Sequence, residues 1–160
     1  MNALLQSRSI EDFIPLLRGI PELGDPFYLS MLHWCGIGVR PYPLKFWEVF
    51  LLTENSKKMG VTGLYQREET ADSDVWVGWF GIIQGARSSR LGTRLLELTM
   101  EEAVNRGFHR LLVYCDRDEL AVPRFYLQNQ FLSLGQATDV FPGQTSKPHD
   151  VVFAKILKNG

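Results

Sequence analysis

The feature that most constrains the fold is an apolar run from Val75 to Ile83, which turn-forming residues at 72–74 precede. A nearly continuous apolar run of this length is typical of a strand that is covered on both faces of a sheet. A polar stretch, residues 84–91, separates it from a segment with helical periodicity that ends near Arg106. The spaced positions of that segment lie on one face of a helix: Gly92, Leu95, Leu96, Thr99, Met100 and Ala103. The sequence therefore predicts a central strand, a short turn and a helix in succession.

The rest of the chain also shows helix and strand patterns. In the N-terminal third, one helix is predicted to start at Ser9 and end by Gly19 and Pro21, and a second to run from Asp25 to Gly36. The remaining predicted elements are a hairpin of Phe46–Leu52 and Gly60–Gln66, a strand over Arg110–Cys115, a helix over Glu119–Gln130 and a strand over Asp150–Leu157. This order indicates a mixed α/β class. No repeat or linker divides the chain, so we expect residues 1–160 to form a single domain.

Composition narrows the classes of function. Lys and Arg total 17 against 18 Asp and Glu, so the net charge is near zero and we expect no nucleic acid partner. Cys35 and Cys115 form neither a CxxC pair nor a zinc-ligand pattern, which favours a reducing, cytoplasmic compartment. His33, His109 and His149 show no metal-ligand spacing, and we expect no metal. No apolar segment approaches the ~20 residues of a membrane span, and the N-terminus lacks a signal-peptide pattern.

The junction between the predicted central strand and the next helix has the composition of a phosphate site. A helix start directs unpaired backbone N–H groups and partial positive charge at one point. Arg87 and Arg90 flank that point, among small residues that let a ligand approach the backbone: Gly85, Ala86, Ser88, Ser89 and Gly92. A plain helix cap beside an arginine is the more common meaning of such a pattern, and both interpretations stay open here. Walker A and GxGxxG patterns are missing, which disfavours a nucleotide triphosphatase or a nicotinamide enzyme.

Two segments resemble the GNAT superfamily of acetyltransferases. The stretch from Trp79 to Leu96 matches the family's acetyl-CoA segment, whose pattern is Gln/Arg-x-x-Gly-x-Gly/Ala. Arg87 takes its first position and Gly92 its last, and Arg90 stands where the first glycine is usual. The resemblance implies acetyl-CoA as co-substrate, with these residues holding it: Phe80, Gly81, Ile82, Arg87, Ser88, Ser89, Arg90, Leu91, Gly92 and Thr93.

The second matching segment runs from Val122 to Phe131 and is similar to the family's A-x-x-F-Y-x-x-x-G-F stretch, with Gln130 at the glycine position. The order of predicted elements also agrees with the family. The resemblance implies the GNAT fold: a twisted, mostly antiparallel sheet with one splayed parallel strand pair and helices on both faces. The splayed pair would be the strands that begin at Val75 and Arg110, and the backbone of Phe80–Ile82 would pair with pantetheine.

The resemblance further implies that a neutral primary amine attacks the thioester directly. Tyr126 matches the residue that often protonates the leaving thiolate, a task that suits a phenol with a pKa of about 10. The alternative is that Tyr126 only packs beside Phe125. Glu54, Asp74 and Asp116 are candidate bases at predicted strand ends, and none of them is assigned.

The acceptor is left open as a small-molecule amine or a peptide, and a homodimer is a possible assembly. The lack of an acidic run favours an acidic or apolar amine over a polycation. Part of an aromatic set could form the acceptor pocket, with Trp47 and Trp76 as first candidates: Trp34, Tyr42, Phe46, Trp47, Trp76, Trp79 and Phe80. The alternative to an enzyme is a catalytically silent CoA-binding or interaction module with the same fold, which Arg90 and the missing base would explain.

Overall fold

The computed structural model describes residues 2–38, 43–141 and 150–158, so Tyr42 and His149 lie outside the described residues. The strands are β1 (Asn2–Leu5), β2 (Phe46–Glu54), β3 (Lys57–Gln66), β4 (Asp74–Val77), β5 (Gly81–Ile82), β6 (Arg110–Asp116), β7 (Leu132–Gln136) and β8 (Asp150–Ile156). The α-helices are α1 (Ile14–Gly19), α2 (Gly24–Trp34), α3 (Leu91–Asn105), α4 (Ala121–Gln128) and α5 (Ala137–Val140). Short 3-10 helices cover Ile10–Phe13, Pro21–Leu23 and Gln84–Ser89.

The strands form one sheet in the order β1-β2-β3-β4-β6-β8-β7, and β5 pairs with β3 beside β4. The β4 and β6 strands are parallel, and the other recorded pairs are antiparallel. The predicted mixed α/β class and the predicted hairpin, β2 with β3, are therefore confirmed. A salt bridge ties the parallel pair at its start, where the Arg110 guanidinium donates to both carboxylate oxygens of Asp74 at 2.9 and 2.7 Å.

Helices cover both faces of the sheet. The side chains of β2 alternate in direction, so successive residues of this strand pack against helices on opposite faces. Val49 and Leu51 pack against α1 and α2, in a cluster with Phe27, Met31 and Trp34. On the opposite face, Phe50 packs in a cluster with residues of α3 and α4, including Leu96 and Tyr126. The expected two-sided helical covering is confirmed.

The prediction of one continuous strand from Val75 to Ile83 is wrong. The segment is split into β4 and β5, and between them Trp79 adopts a positive φ of 60°. Close backbone contacts explain the break: a Cβ on Gly63 would lie 2.6 Å from the carbonyl oxygen of Gly78, and a Cβ on Gly78 would lie 2.9 Å from the Tyr65 ring. An apolar run does not reveal such a bend, since each of its residues stays buried or half-buried.

Two edge strands were not predicted. The β1 strand pairs with β2, and β7 pairs with β8. The sequence of β7, Leu-Ser-Leu-Gly-Gln, leaves Leu132 71% exposed and bends at a register shift near Gly135. Such short edge strands carry little alternation, so periodicity does not identify them.

Candidate functional site: a gap between parallel strands

The central element of the site is a gap that opens between the parallel strands. The pairing of β4 with β6 ends at Trp76 and Leu112, whereas β6 continues to Asp116. Beyond that point the chain turns at Trp79, and β5 pairs with β3 instead. Among the described strands, none pairs with the other edge of β5 or with the facing edge of β6 past Leu112. A ligand that can pair with a strand would meet backbone groups along these edges.

The start of α3 lies directly after β5 and is formed mainly by backbone. A 3-10 helix over Gln84–Ser89 leads into it, and Arg90 at the N-cap has the left-handed angles φ 61° and ψ 15°. No side chain of the described residues makes a cap hydrogen bond to this helix start. A Cβ at Gly85 would have no neighbour within 4 Å, and one at Gly92 would meet the Phe125 ring at 3.6 Å. The helix start therefore keeps N–H groups and room for an anion.

Arg90, which stands where the family motif has a glycine, has a left-handed conformation. Glycine adopts these angles without steric cost, whereas a residue with a Cβ is disfavoured by about 1 kcal/mol. Arg90 therefore holds a backbone conformation that a glycine would adopt without this cost.

Arg87 is held beside the helix start by two contacts. Its Nε donates to the carbonyl oxygen of Ile82 at 3.0 Å, and its guanidinium forms a salt bridge with Glu22. Glu22 lies in the short 3-10 helix that precedes α2. The guanidinium is thus oriented by β5 and by the N-terminal helices, although the pair is partly exposed and screened by solvent.

The other predicted cofactor residues differ in how they can contribute. Leu91 and Ile82 have buried side chains in one cluster with Leu95, so only their backbone can face a ligand. The Ser89 hydroxyl donates to the Ala86 carbonyl oxygen at 2.6 Å. Phe80 lies at the bend between β4 and β5, and Thr93 is half-buried in the first turn of α3. The structure thus brings the predicted segment, residues 80–93, to one edge of the gap.

Tyr126 lies on α4 in an aromatic cluster next to the gap. Its ring is 5.2 Å from the rings of Phe125 and Phe131 and 6.4 Å from that of Phe80. The residue is 3% exposed. Burial, with a smaller effect of Cys115, raises the pKa of Tyr126 well above its ordinary value of 10.0. The phenol is therefore neutral at physiological pH and is a hydrogen-bond donor that does not readily give up its proton.

On the opposite face of the sheet, a cleft of about 510 Å³ opens beside the bend at Gly78 and Trp79. Its walls are mainly aromatic and apolar, and they come from α2, β2, β3 and the ends of β4 and β6. The lining residues are Pro26, Leu29, Ser30, His33, Leu44, Trp47, Tyr65, Arg67, Val77, Gly78, Trp79 and Tyr114. Since Tyr114 faces this cleft while Val113 and Cys115 pack in the cluster of Tyr126, β6 separates the cleft from the tyrosine.

The cleft contains some of the aromatic residues singled out from the sequence. Trp47 and Trp79 line it, whereas Trp76 does not: it is 1% exposed and stacks behind Tyr114 at 4.2 Å between ring centroids. Sequence reasoning missed Arg67, Tyr65 and Tyr114. Their positions at strand ends could have indicated them. Arg67 directly follows β3, and Tyr114 lies between two buried residues of β6 and so points to the other face of the sheet.

The three carboxylates considered as bases have other positions. Asp74 is paired with Arg110, and Asp116 Oδ1 accepts a hydrogen bond from the Asp118 amide at 2.9 Å. Glu54 ends β2 at the hairpin turn. None of the three lines the cleft as far as the structure describes it.

Comparison with known proteins agrees with this geometry. The model of the acetyltransferase (GNAT) family matches residues 18–131, well over half of the sequence. The chain belongs to this family. The match covers α2, the strands β2 to β6, α3 and the tyrosine-bearing helix α4 of this GNAT protein. The comparison with curated proteins gave no match.

Solved structures share the fold of the GNAT protein at low sequence identity. A GNAT acetyltransferase from Staphylococcus aureus Mu50 is 14% identical with a TM-score of 0.70, covering 99% of this chain and 100% of that chain. N-acetylglutamate synthase from Neisseria gonorrhoeae, complexed with coenzyme A and N-acetyl-glutamate, is 16% identical with a TM-score of 0.70, over 99% of this chain and 35% of that chain. An acetyltransferase from Salmonella typhimurium, which modifies the N-terminal serine of ribosomal protein L7/L12, is 15% identical with a TM-score of 0.70, over 98% and 95%. The GNAT fold is thereby confirmed.

Two further properties of the described residues concern metals and membranes. Their His, Cys, Asp and Glu side chains form no group of three or more that could hold a metal ion. None of their helices is long and apolar enough to cross a membrane.

Proposed function

We propose that this GNAT protein is an acetyl-CoA-dependent N-acetyltransferase that moves the acetyl group to a primary amine by direct attack. The observation that carries the proposal is the gap between β5 and β6. It has the start of α3 at one side, Tyr126 close to one face and the aromatic cleft on the other face. A thioester placed in this gap would be reachable from the cleft, and its sulfur would lie near the tyrosine.

The residues around the helix start fit the co-substrate. The amides at the start of α3 and the guanidinium of Arg87 would bind the pyrophosphate, with Arg90 adding positive charge. The free edge of β5, Gly81–Ile82, and the backbone of Phe80 would pair with the amides of pantetheine. The Phe125 ring, 3.6 Å from a Cβ placed on Gly92, would limit the space at the first turn of the helix.

The transfer conserves atoms and charge as follows. The lone pair of a neutral amine forms a C–N bond with the thioester carbonyl carbon, and the C–S bond breaks with its electrons going to sulfur. The amine nitrogen loses one proton, and the sulfur gains one. The products are an N-acetyl amide and the free thiol of coenzyme A.

In this scheme Tyr126 donates a hydrogen bond, and finally a proton, to the leaving sulfur, and solvent then returns a proton to the phenolate. The sequence-based prediction assumed an ordinary pKa of 10.0 for the phenol. Because burial raises the pKa of Tyr126, the phenol gives up its proton to a thiolate less readily than that prediction implies. Stabilisation of the thiolate by a donated hydrogen bond is therefore the larger part of its role. The proton lost by the amine would go to water or to His33, the imidazole that lines the cleft.

Thermal unfolding with and without acetyl-CoA tests donor binding, and release of free thiol in the presence of amines tests transfer. Acetyl-CoA at about 100 times its Kd is expected to add ~2.7 kcal/mol to the free energy of unfolding. Binding without thiol release for any of a broad set of amines and peptides would instead support the silent CoA-binding module. No stabilisation at millimolar acetyl-CoA would contradict the proposal.

Other expectations also remain proposals. We infer that residues 1–160 act as one domain, that the acceptor is a small-molecule amine or a peptide, and that neither nucleic acid nor metal takes part. The cytoplasmic location and the homodimer remain predictions from the sequence.

A further inference from the structure

We propose that the acceptor is a small primary amine that combines a flat apolar body with a carboxylate, bound in the aromatic cleft. This inference rests on the proposed function, since it assigns a substrate class to the acceptor side of the same site. Three properties of the cleft carry it: the charge of its lining, the support of its aromatic walls, and its size.

The charge of the lining favours an anionic group on the acceptor. None of the described lining residues is a carboxylate, whereas Arg67 carries a fixed positive charge. Two acids, Asp150 and Glu69, act on the cleft from outside its lining, since both raise the pKa of Tyr114. Burial is the main cause of that raised pKa, and Arg67 opposes it by lowering the pKa. A polycationic acceptor would therefore enter without a carboxylate in the cleft wall to pair with.

The aromatic walls are held in place from behind. Trp47 packs edge-on against Trp34, and Trp79 against Phe27, each at 5.5 Å between centroids. Tyr114 stacks on the buried Trp76 at 4.2 Å and 7°. Rings fixed in this way form rigid, flat surfaces, so their side chains lose little conformational entropy when a ligand binds. Such surfaces suit a planar apolar ligand.

Arg67 is placed to hold the carboxylate end of such a ligand. It follows β3 directly, and its guanidinium carbon lies 5.9 Å from the centre of the Tyr114 ring. A guanidinium has five N–H donors, so Arg67 can bind a carboxylate through two parallel hydrogen bonds in addition to its contacts within the protein. It would then fix the orientation of the ligand as well as its charge. The volume of about 510 Å³ is in the range of small-molecule pockets.

The experiment compares kcat/KM for four probes at saturating acetyl-CoA: tryptophan, tryptamine, tryptophanamide and spermidine. Tryptamine and tryptophanamide keep the indole ring and the amine but lack the carboxylate. Tryptophan is expected to exceed both by about 10-fold or more, since a hydrogen-bonded charged group is lost. Spermidine is expected to be slower than tryptamine. A preference for spermidine, or equal rates for tryptophan and tryptophanamide, would overturn the inference.

Variants locate the effect at Arg67. R67Q is expected to remove the advantage of tryptophan over tryptamine, and R67K to keep part of the advantage. R18Q removes an exposed arginine on α1 and is the matched control, with no expected change in preference. If circular dichroism shows that R67Q is unfolded, the result from R67K decides, and full retention of the preference in R67K contradicts the role of Arg67. If R67Q is folded, full retention of the preference in R67Q contradicts it.

The same samples separate failure of this inference from failure of the proposed function. Acetyl-CoA stabilises the protein in thermal unfolding whichever acceptor is used. Stabilisation together with a preference for spermidine, or for a peptide N-terminus carrying a C-terminal amide, would reject the acceptor class alone. Absence of stabilisation would reject donor binding.

Discussion

The proposed donor side and the proposed acceptor side of the gap are built in different ways. Residues 80–93 would form the donor side from one continuous segment, through backbone groups, small residues and a helix start. The acceptor cleft collects its lining from α2, β2, β3, β4 and β6, through large side chains that other rings support. We infer that the donor side is fixed by local chain geometry, whereas the acceptor side is set by side chains that can vary without disturbing the fold.

The largest expected effect is at Tyr126, which lies next to the gap on the face of the sheet opposite the cleft. Y126F removes the hydroxyl and keeps the ring contacts with Phe80, Phe125 and Phe131. Turnover is expected to fall by about 100-fold, because the leaving sulfur loses its hydrogen-bond donor. Affinity for acetyl-CoA, measured by calorimetry, is expected to stay within about threefold. Y28F, at an exposed position on α2, is the control. Unchanged turnover in Y126F would show that Tyr126 takes no part in the mechanism.

The next effect separates the two sides through Arg87. R87Q is expected to raise the Kd for acetyl-CoA by about 10-fold, because one charge-assisted contact with the pyrophosphate is lost. The KM for the acceptor is expected to be unchanged. E22Q is the matched control: it removes the salt-bridge partner and keeps the guanidinium. An R87Q effect on acceptor KM alone would show that the assignment of the donor side is wrong.

The third effect concerns the buried groups below the gap and depends on pH. Burial raises the pKa of the Cys115 thiol from 9.0 to about 12. Between these values the folded protein holds a proton that the unfolded chain releases, so stability is lost as pH rises above about 9. Urea unfolding at pH 8 and pH 10 should show that C115A loses about 1 kcal/mol less than wild type over this interval. Equal losses would contradict the burial of a protonated thiol next to Tyr126.

The smallest effect is expected at Arg90. R90G removes the steric cost of the left-handed backbone in the folded state, but glycine also loses more chain entropy on folding. The two effects are of similar size, so the free energy of unfolding should change by less than about 1 kcal/mol. Affinity for acetyl-CoA should change by about threefold at most, because the backbone path is retained. Titration of R90G with acetyl-CoA tests this, and a loss comparable with that of R87Q would show that the side chain of Arg90, not the loop path, dominates binding.

This contrast also explains how much the sequence could predict. The turn around Arg87 and the helix after it were predictable because backbone sites need particular residues at close spacing, and residues 84–93 keep most of the family pattern. The bend at Trp79 was not, since it depends on contacts of Gly78 with Tyr65 and Gly63. The cleft was not predictable either, because His33, Arg67 and Tyr114 are distant in sequence and meet only through the order of the strands.

Hydrogen–deuterium exchange with and without acetyl-CoA reports on backbone amides, and so it tests whether those at the start of α3 bind the co-substrate. Such binding predicts slower exchange in peptides that cover residues 80–93, and no change in peptides from β2 or from α2 at the acceptor cleft. Protection confined to the cleft, with the start of α3 unaffected at saturating acetyl-CoA, would contradict it.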